Sequence, residues 1–333
     1  SGFCTDLKNV KTGATEKKCV NGVVTWTPGD VTVAEQKGGL VSIVSTKEYR
    51  SQMPNVIIGN KKWMADNKKL VTGMLSAIFE AGDKLKASDD ALKQAAAVSA
   101  LVYKEKDAGY WYKYFKIVTQ KDKQGIEVEL GGSSVNNLAD NLELFGLASG
   151  SMNAFGATYT VFGNVVKSQY PDLLPSFYPV DQILDTTYLK DLSAQGGTTT
   201  VADTAKFEPG STVKTVVSRK SWDIQFMMGS AGFTKETTAT LEQLLNDLVV
   251  ASGTLIEIHG HTDNVGTVES NLRLSEDRAF AVKKWLEAKA PSSFPEGRVK
   301  VIPHGQSEPV ESNNTPDGRA KNRRVVIVLG TAN

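Results

Sequence analysis

The chain has 333 residues, 40% hydrophobic and 23% charged, and its 38 Lys and Arg against 37 Asp and Glu give a formal charge of +1. That length exceeds one ordinary core and implies two domains, and so even a charge balance excludes a basic face for a nucleic-acid backbone. The longest apolar runs, such as GLASGSMNAFGATYTVFG, are broken by Gly, Ser and Asn, so no transmembrane helix is expected.

The start, SGFCTDLKN, has neither an initiator Met nor the charged-then-apolar pattern of a signal peptide. It reads as a processed chain or a fragment, with any targeting segment or membrane anchor upstream. The only two cysteines, Cys4 and Cys19, flank a Lys-rich loop with no His nearby to complete a metal site. A disulfide is expected rather than two free thiols, which favours an oxidising compartment such as a periplasm.

From Val20 to Ile58, the short apolar runs VNGVVTWTPGD, GGLVSIVST and MPNVIIGNKKW predict strands alternating with loops. Leu70, Met74, Ala77, Ile78 and Ala81 then recur at helical spacing and predict an amphipathic helix over 66–85. Ser88 offers an N-cap to a second helix over 91–103, ahead of an aromatic cluster of Tyr110, Trp111, Tyr112 and Tyr114. That cluster reads as packing before it reads as a platform for a sugar or aromatic ring. Further helices are expected over 135–147 and 153–168. The periodicity vanishes in LKDLSAQGGTTTVADTAKF, so a linker is placed at 196–205, between domains at 1–195 and 206–333.

Beyond it, STVKTVVS and SWDIQFMMGSA read as strands, KETTATLEQLLNDLVVAS as a helix and TLIEIHG as a strand. NLRLSEDRAFAVKKWLEAKA follows as a helix, then RVKVIPHG and NRRVVIVLG as strands. This βαβαβ order predicts a small α/β sandwich with helices on one face. Strand LIEIHG ends in the polar turn HTDNVGT, where Gly266 permits positive φ. The next helix carries Asn271, Leu274 and Arg278 on one face, so Asn271 and Arg278 can lean towards Asp263.

These residues carry a resemblance. GHTDNVG, NLRLSEDRAFAV and GRAKNRRVVI, in that order, resemble the OmpA-like peptidoglycan-binding domain over about 220–330. The resemblance implies that Asp263 and Arg278 hold the amino-acid head group of diaminopimelate in the peptidoglycan stem peptide. Asn271 and Arg323 would help, with Thr262 and Asn264 as loop neighbours. The ligand suits such a site, because an ammonium and a carboxylate on one carbon need an anion beside a cation. His259 and His261 form an H-x-H step that, with His304, could offer metal ligands, but no Cys or clustered carboxylate completes the set except Asp263, which the resemblance assigns to the ligand. No metal, cofactor or enzyme activity is therefore expected.

Residues 20–193 resemble the later part of periplasmic substrate-binding proteins that serve nitrate, sulfonate and thiamine-precursor importers, through IIGNKKWM, LVTGMLSAIFEA and FYPVDQILDTTYLKDL. The resemblance implies an incomplete α/β domain lacking its first lobe, with Trp26, Thr27 and Asp30 as candidate solute contacts. The reading is a cell-wall-associated periplasmic protein of a Gram-negative-type bacterium, in which a non-catalytic peptidoglycan anchor tethers a solute-binding-like module. The alternative is a solute receptor of an ABC-type uptake system.

Overall fold

The computed structural model describes residues 3–20, 22–26, 29–52, 56–129, 133–196, 202–227 and 229–332. In chain order the elements begin β1 (Phe3–Lys8), β2 (Thr15–Val20), α1 (Gly29–Gln36), α2 (Lys61–Asp66), α3 (Lys68–Ala87), α4 (Asp89–Tyr103) and α5 (Ala108–Lys116). They continue β3 (Thr119–Lys121), β4 (Glu127–Glu129), α6 (Leu138–Leu144), α7 (Ala154–Gln169), α8 (Val180–Ile183) and α9 (Thr187–Ala194). The last are β5 (Thr215–Trp222), α10 (Thr237–Val250), β6 (Leu255–His261), α11 (Val268–Lys289), β7 (Val299–Gly305), α12 (Pro316–Asn322) and β8 (Val325–Thr331).

The chain divides into two compact units. Ser1–Val41 and Asp89–Ser134 make one, and Ser42–Ser88 with Val135–Asn333 make the other. In the first unit, β1 and β2 form an antiparallel hairpin, and Cys4 and Cys19 face each other across it in a disulfide. Trp111 packs on Tyr103 and Tyr114 with ring centroids 5.2 and 5.6 Å away, while the Tyr112 hydroxyl donates to Asp89. The aromatic run thus packs on itself and against α4. Asp122 accepts the N–H groups of Gly39, Gln124 and Ile126, which hold its carboxyl below the usual range despite partial burial.

The second unit is built on a four-stranded sheet of order β5-β8-β6-β7. β8 runs antiparallel to β5 and β6 on either side, and β6 runs parallel to β7 through the crossover helix α11. Six of the seven β8 residues are buried, as a central strand requires. Ile256 and Ile258 of β6 project to one face and meet Leu241, Leu244, Leu245 and Leu248 of α10 and Ala279, Val282 and Leu286 of α11. Each large side chain buried here stabilises the fold by about 1.5–3 kcal/mol relative to exposure. The same core takes in Ala157 of α7, which packs along α10, so packing in this unit joins residues on both sides of 196–205. Residues 197–201 of that expected linker lie outside the described residues.

The expected helices at 66–85, 91–103, 135–147 and 153–168 correspond to α3, α4, α6 and α7. Two sets of expected strands are absent. Among the described residues of 22–60 no strand forms; Gly29–Gln36 is a helix, and Val24, Val41 and Ile58 stand exposed without a sheet partner. The described residues of 223–233 hold only the bridge between Phe226 and Phe233 rather than a strand. The described residues of 21–193 contain α1–α9 and the short hairpin β3–β4, not the multi-stranded lobe that a substrate-binding protein implies. No helix among the described residues is long and apolar enough to cross a membrane.

Candidate functional site

The site begins where β6 ends. The Thr262 N–H donates to Gly305 O of the neighbouring β7, and the chain then turns through 263–266. Asp263 organises that turn: Oδ1 accepts the Val265 N–H at 3.0 Å, and its carbonyl accepts the Thr262 hydroxyl at 2.9 Å. Gly266 adopts φ 105°, which a side chain would oppose. Thr267 then caps α11 through a reciprocal pair with Ser270, fixing where the helix starts.

The start of α11 places Asn271, Ser275 and Arg278 on one face, and all three are buried. Asn271 Nδ2 donates to Asp263 O at 3.2 Å and to Gln306 Oε1 at 2.6 Å. Arg278 Nε donates to Ser230 O at 3.2 Å, and the guanidinium lies over the Phe226 ring at 5.1 Å. Its two terminal nitrogens make no hydrogen bond to any described residue, although only 6% of the residue is exposed. Burial and then Arg323 pull its pKa down, while the Asp263 charge acts the other way.

The Asp263 carboxylate has an ion-pair partner of its own within the domain. Asp263 Oδ2 takes Arg323 NH1 at 2.7 Å, and Arg323 is half exposed where Asp263 is buried. Arg323 stands at the C-cap of α12, a helix that sequence reasoning had read only as the approach to β8. Asn322, fully buried, receives the N–H groups of Val310 and Glu311 and donates to Glu311 O, so it fixes the loop before α12. Asn264 is exposed beside the turn. The structure thus gathers Thr262, Asp263, Asn271, Arg278 and Arg323 around one rim, with Asn264 at its edge. Ser230 and Gln306, which hold Arg278 and Asn271, had no signal in the sequence.

Residues 225–323 match the OmpA family. This stretch of the chain is an OmpA family domain, and it contains every residue of that rim. Outer membrane porin F of Pseudomonas aeruginosa is 36% identical over 109 residues, 33% of this chain and 31% of that protein. Peptidoglycan-binding protein ArfA of Mycobacterium bovis is 36% identical over 89 residues, 27% of this chain and 26% of that protein. The peptidoglycan-associated lipoprotein of Buchnera aphidicola is 33% identical over 110 residues, 33% of this chain and 62% of that protein. The chain spans less than two thirds of each.

Within the OmpA family domain, Gly260 sets how closely α11 approaches the sheet. A Cβ there would fall 2.1 Å from the backbone oxygen of Ser275, whose hydroxyl receives the Gly305 N–H at 2.9 Å. Gly260→Ala must push α11 outward or distort β6, so it is expected to lower stability by about 1–3 kcal/mol. An unaltered urea midpoint would contradict this account of the helix position.

On the opposite face of β6 the domain carries three histidines. His259 Nδ1 lies 2.8 Å from His304 Nε2, and His261 stacks on His304 at 4.6 Å. Burial lowers the pKa of both His259 and His261, the latter to about 3, with Arg324 contributing. Of the candidate solute residues, Trp26 is mostly exposed and Asp30 sits in the first turn of α1, its Oδ1 accepting the Val31 N–H. Thr27 lies outside the described residues.

Proposed function

We propose that residues 206–333 attach this protein to peptidoglycan without cleaving it, by gripping the zwitterionic head group of diaminopimelate in the stem peptide. Arg278 carries the reading: a buried guanidinium whose two terminal nitrogens no described residue fills, beside the carboxylate of Asp263, is a receptor for an anion that brings its own cation. In this reading Arg278 forks onto the ligand carboxylate and Asp263 receives the ammonium. Arg323 and Asn271 hold Asp263 in place, with Thr262 and Asn264 at the rim. The names of the ArfA and lipoprotein relatives, which speak of peptidoglycan binding and association, point the same way. The protein would then work at the cell wall, in the periplasm, and the fold would hold its N-terminal residues there at high local concentration.

Co-sedimentation tests both levels of this proposal. The full chain is expected to pellet with purified diaminopimelate-type sacculi and to remain in solution with lysine-type sacculi, whose stem residue lacks the second carboxylate. Equal pelleting with both would remove the assignment of the ligand, and no pelleting with either would remove the function.

A further inference from the structure

The histidines on the far face of β6 form a chain closed by two carboxylates. Glu257 Oε2 lies 3.3 Å from His259 Nε2, His259 Nδ1 lies 2.8 Å from His304 Nε2, and His304 Nδ1 lies 3.1 Å from Glu308 Oε1. Two neutral imidazoles carry one N–H each, so they can supply protons to two of these three contacts. With Glu257 accepting from His259, and His259 accepting from His304, the lone pair of His304 Nδ1 is left facing the Glu308 carboxylate. Two electron-rich atoms at that distance need a cation between them, either one more proton or a metal ion.

His261 stands at the same place. It is 1% exposed, stacks on His304 with 7° between the ring planes, and neither of its ring nitrogens has a hydrogen-bond partner among the described residues. Buried polar atoms without partners are rare and call for an explanation. One ligand atom each from His261, His304 and Glu308 fall within 4.8 Å of one another. Glu308 was invisible in the sequence, where GQSEPVES carries no periodicity, and it supplies the further ligand that the H-x-H step lacked.

We propose that His261, His304 and Glu308 bind a divalent transition-metal ion, with zinc the best match. Two imidazoles and one carboxylate are borderline ligands that suit zinc, and three protein ligands leave a fourth tetrahedral position for water. Bonds of about 2.0–2.2 Å require the three atoms to close up. The exposed Glu308 side chain can do this by rotating, and His261 turns off its stack so that its lone pair meets the ion. The Glu257–His259 pair then serves as the outer support that fixes the tautomer of His304. Arg324, whose guanidinium donates to Glu308 O, anchors the loop but adds a repelling charge, so the ion competes against a neighbouring cation. None of Asp263, Asn271, Arg278 or Arg323 takes part, so this site stands or falls independently of the peptidoglycan reading.

The test uses the full chain without a histidine tag, stripped by a chelator and titrated with Zn²⁺ in a calorimeter. Cobalt substitution provides an optical readout of the ligand field. All three histidines of the chain lie in this cluster and both cysteines are tied in the disulfide, so background binding is low. One zinc per chain is expected, at least 10-fold weaker in Glu308→Gln and lost in His261→Asn. Should His261→Asn fail to fold, Glu308→Gln, in an exposed loop, still decides the question. Absence of stoichiometric zinc in the wild type, or equal affinity in Glu308→Gln, overturns the proposal.

Discussion

Arg298→Met is expected to lower the stability of the chain by about 3–5 kcal/mol, the largest effect of any single exchange proposed here. Arg298 is 1% exposed and has no carboxylate partner among the described residues. Its guanidinium instead donates to Leu248 O at 2.8 Å, Ala251 O at 2.7 Å, Thr254 O at 3.1 Å and Ser293 O. Leu248 belongs to the last turn of α10 and Ala251 is its C-cap, so one side chain satisfies carbonyls that a helix end leaves orphaned. A cation there also complements the negative end of the helix dipole. Burial pulls the guanidinium down to about 9, which still leaves it charged at neutral pH. Methionine fills a similar volume but takes the side-chain donor from Leu248 O, Thr254 O and Ser293 O, each costing about 1–3 kcal/mol before the structure relaxes, while Ala251 O keeps the Thr254 N–H and hydroxyl. Arg298→Lys keeps the charge without the planar fork and should fall between the two. Urea denaturation followed by circular dichroism gives the values; a methionine variant within about 1 kcal/mol of wild type would show that water replaces the donors.

Much of the C-terminal architecture was legible because its elements are both periodic and partnered. The alternation of Ile256 and Ile258 against Glu257 and His259 marked β6, and helical spacing marked α10 and α11. The same reasoning failed over 22–60. A short apolar run bounded by turn residues shows that a strand could form, but not that a neighbour exists to take its hydrogen bonds; Val41 and Ile58 have none among the described residues and are exposed. α12 carried a visible start signal, Thr315 as N-cap with Pro316 behind it, which the expectation of a strand at NRRV obscured. At the rim, the motifs indicated which residues would meet but not which would pair. That Arg323 pairs with Asp263 depends on where α12 ends, a tertiary fact. Arg298 looked like an ordinary residue at the start of a strand because carbonyl acceptors leave no trace in sequence. The resemblance of residues 20–193 to substrate-binding proteins rested on the texture of short segments, and texture does not fix how helices are assembled.

Asp263→Asn and Arg278→Lys are each expected to weaken binding to diaminopimelate-type sacculi by about 100-fold or more while the domain stays folded. That factor corresponds to about 2.7 kcal/mol, within the range for losing one partner of a buried, charge-assisted contact. Asparagine keeps an oxygen for the Val265 N–H, so the turn survives, but it removes the charge that would receive an ammonium. Lysine keeps a cation over Phe226 yet loses the Nε bond to Ser230 O and the fork for a carboxylate. Arg323→Ala should cost less, about 10-fold, because Arg323 is half exposed and acts by orienting Asp263. If Asp263 and Arg278 grip two groups on one carbon, neither grip survives well without the other. The double variant should then be only slightly weaker than the worse single one, a non-additivity expected of coupled residues. Simple staples of the loop would behave otherwise: both variants would lose thermal stability in step with binding. Folded variants that sediment like wild type would remove Asp263 and Arg278 from the binding site.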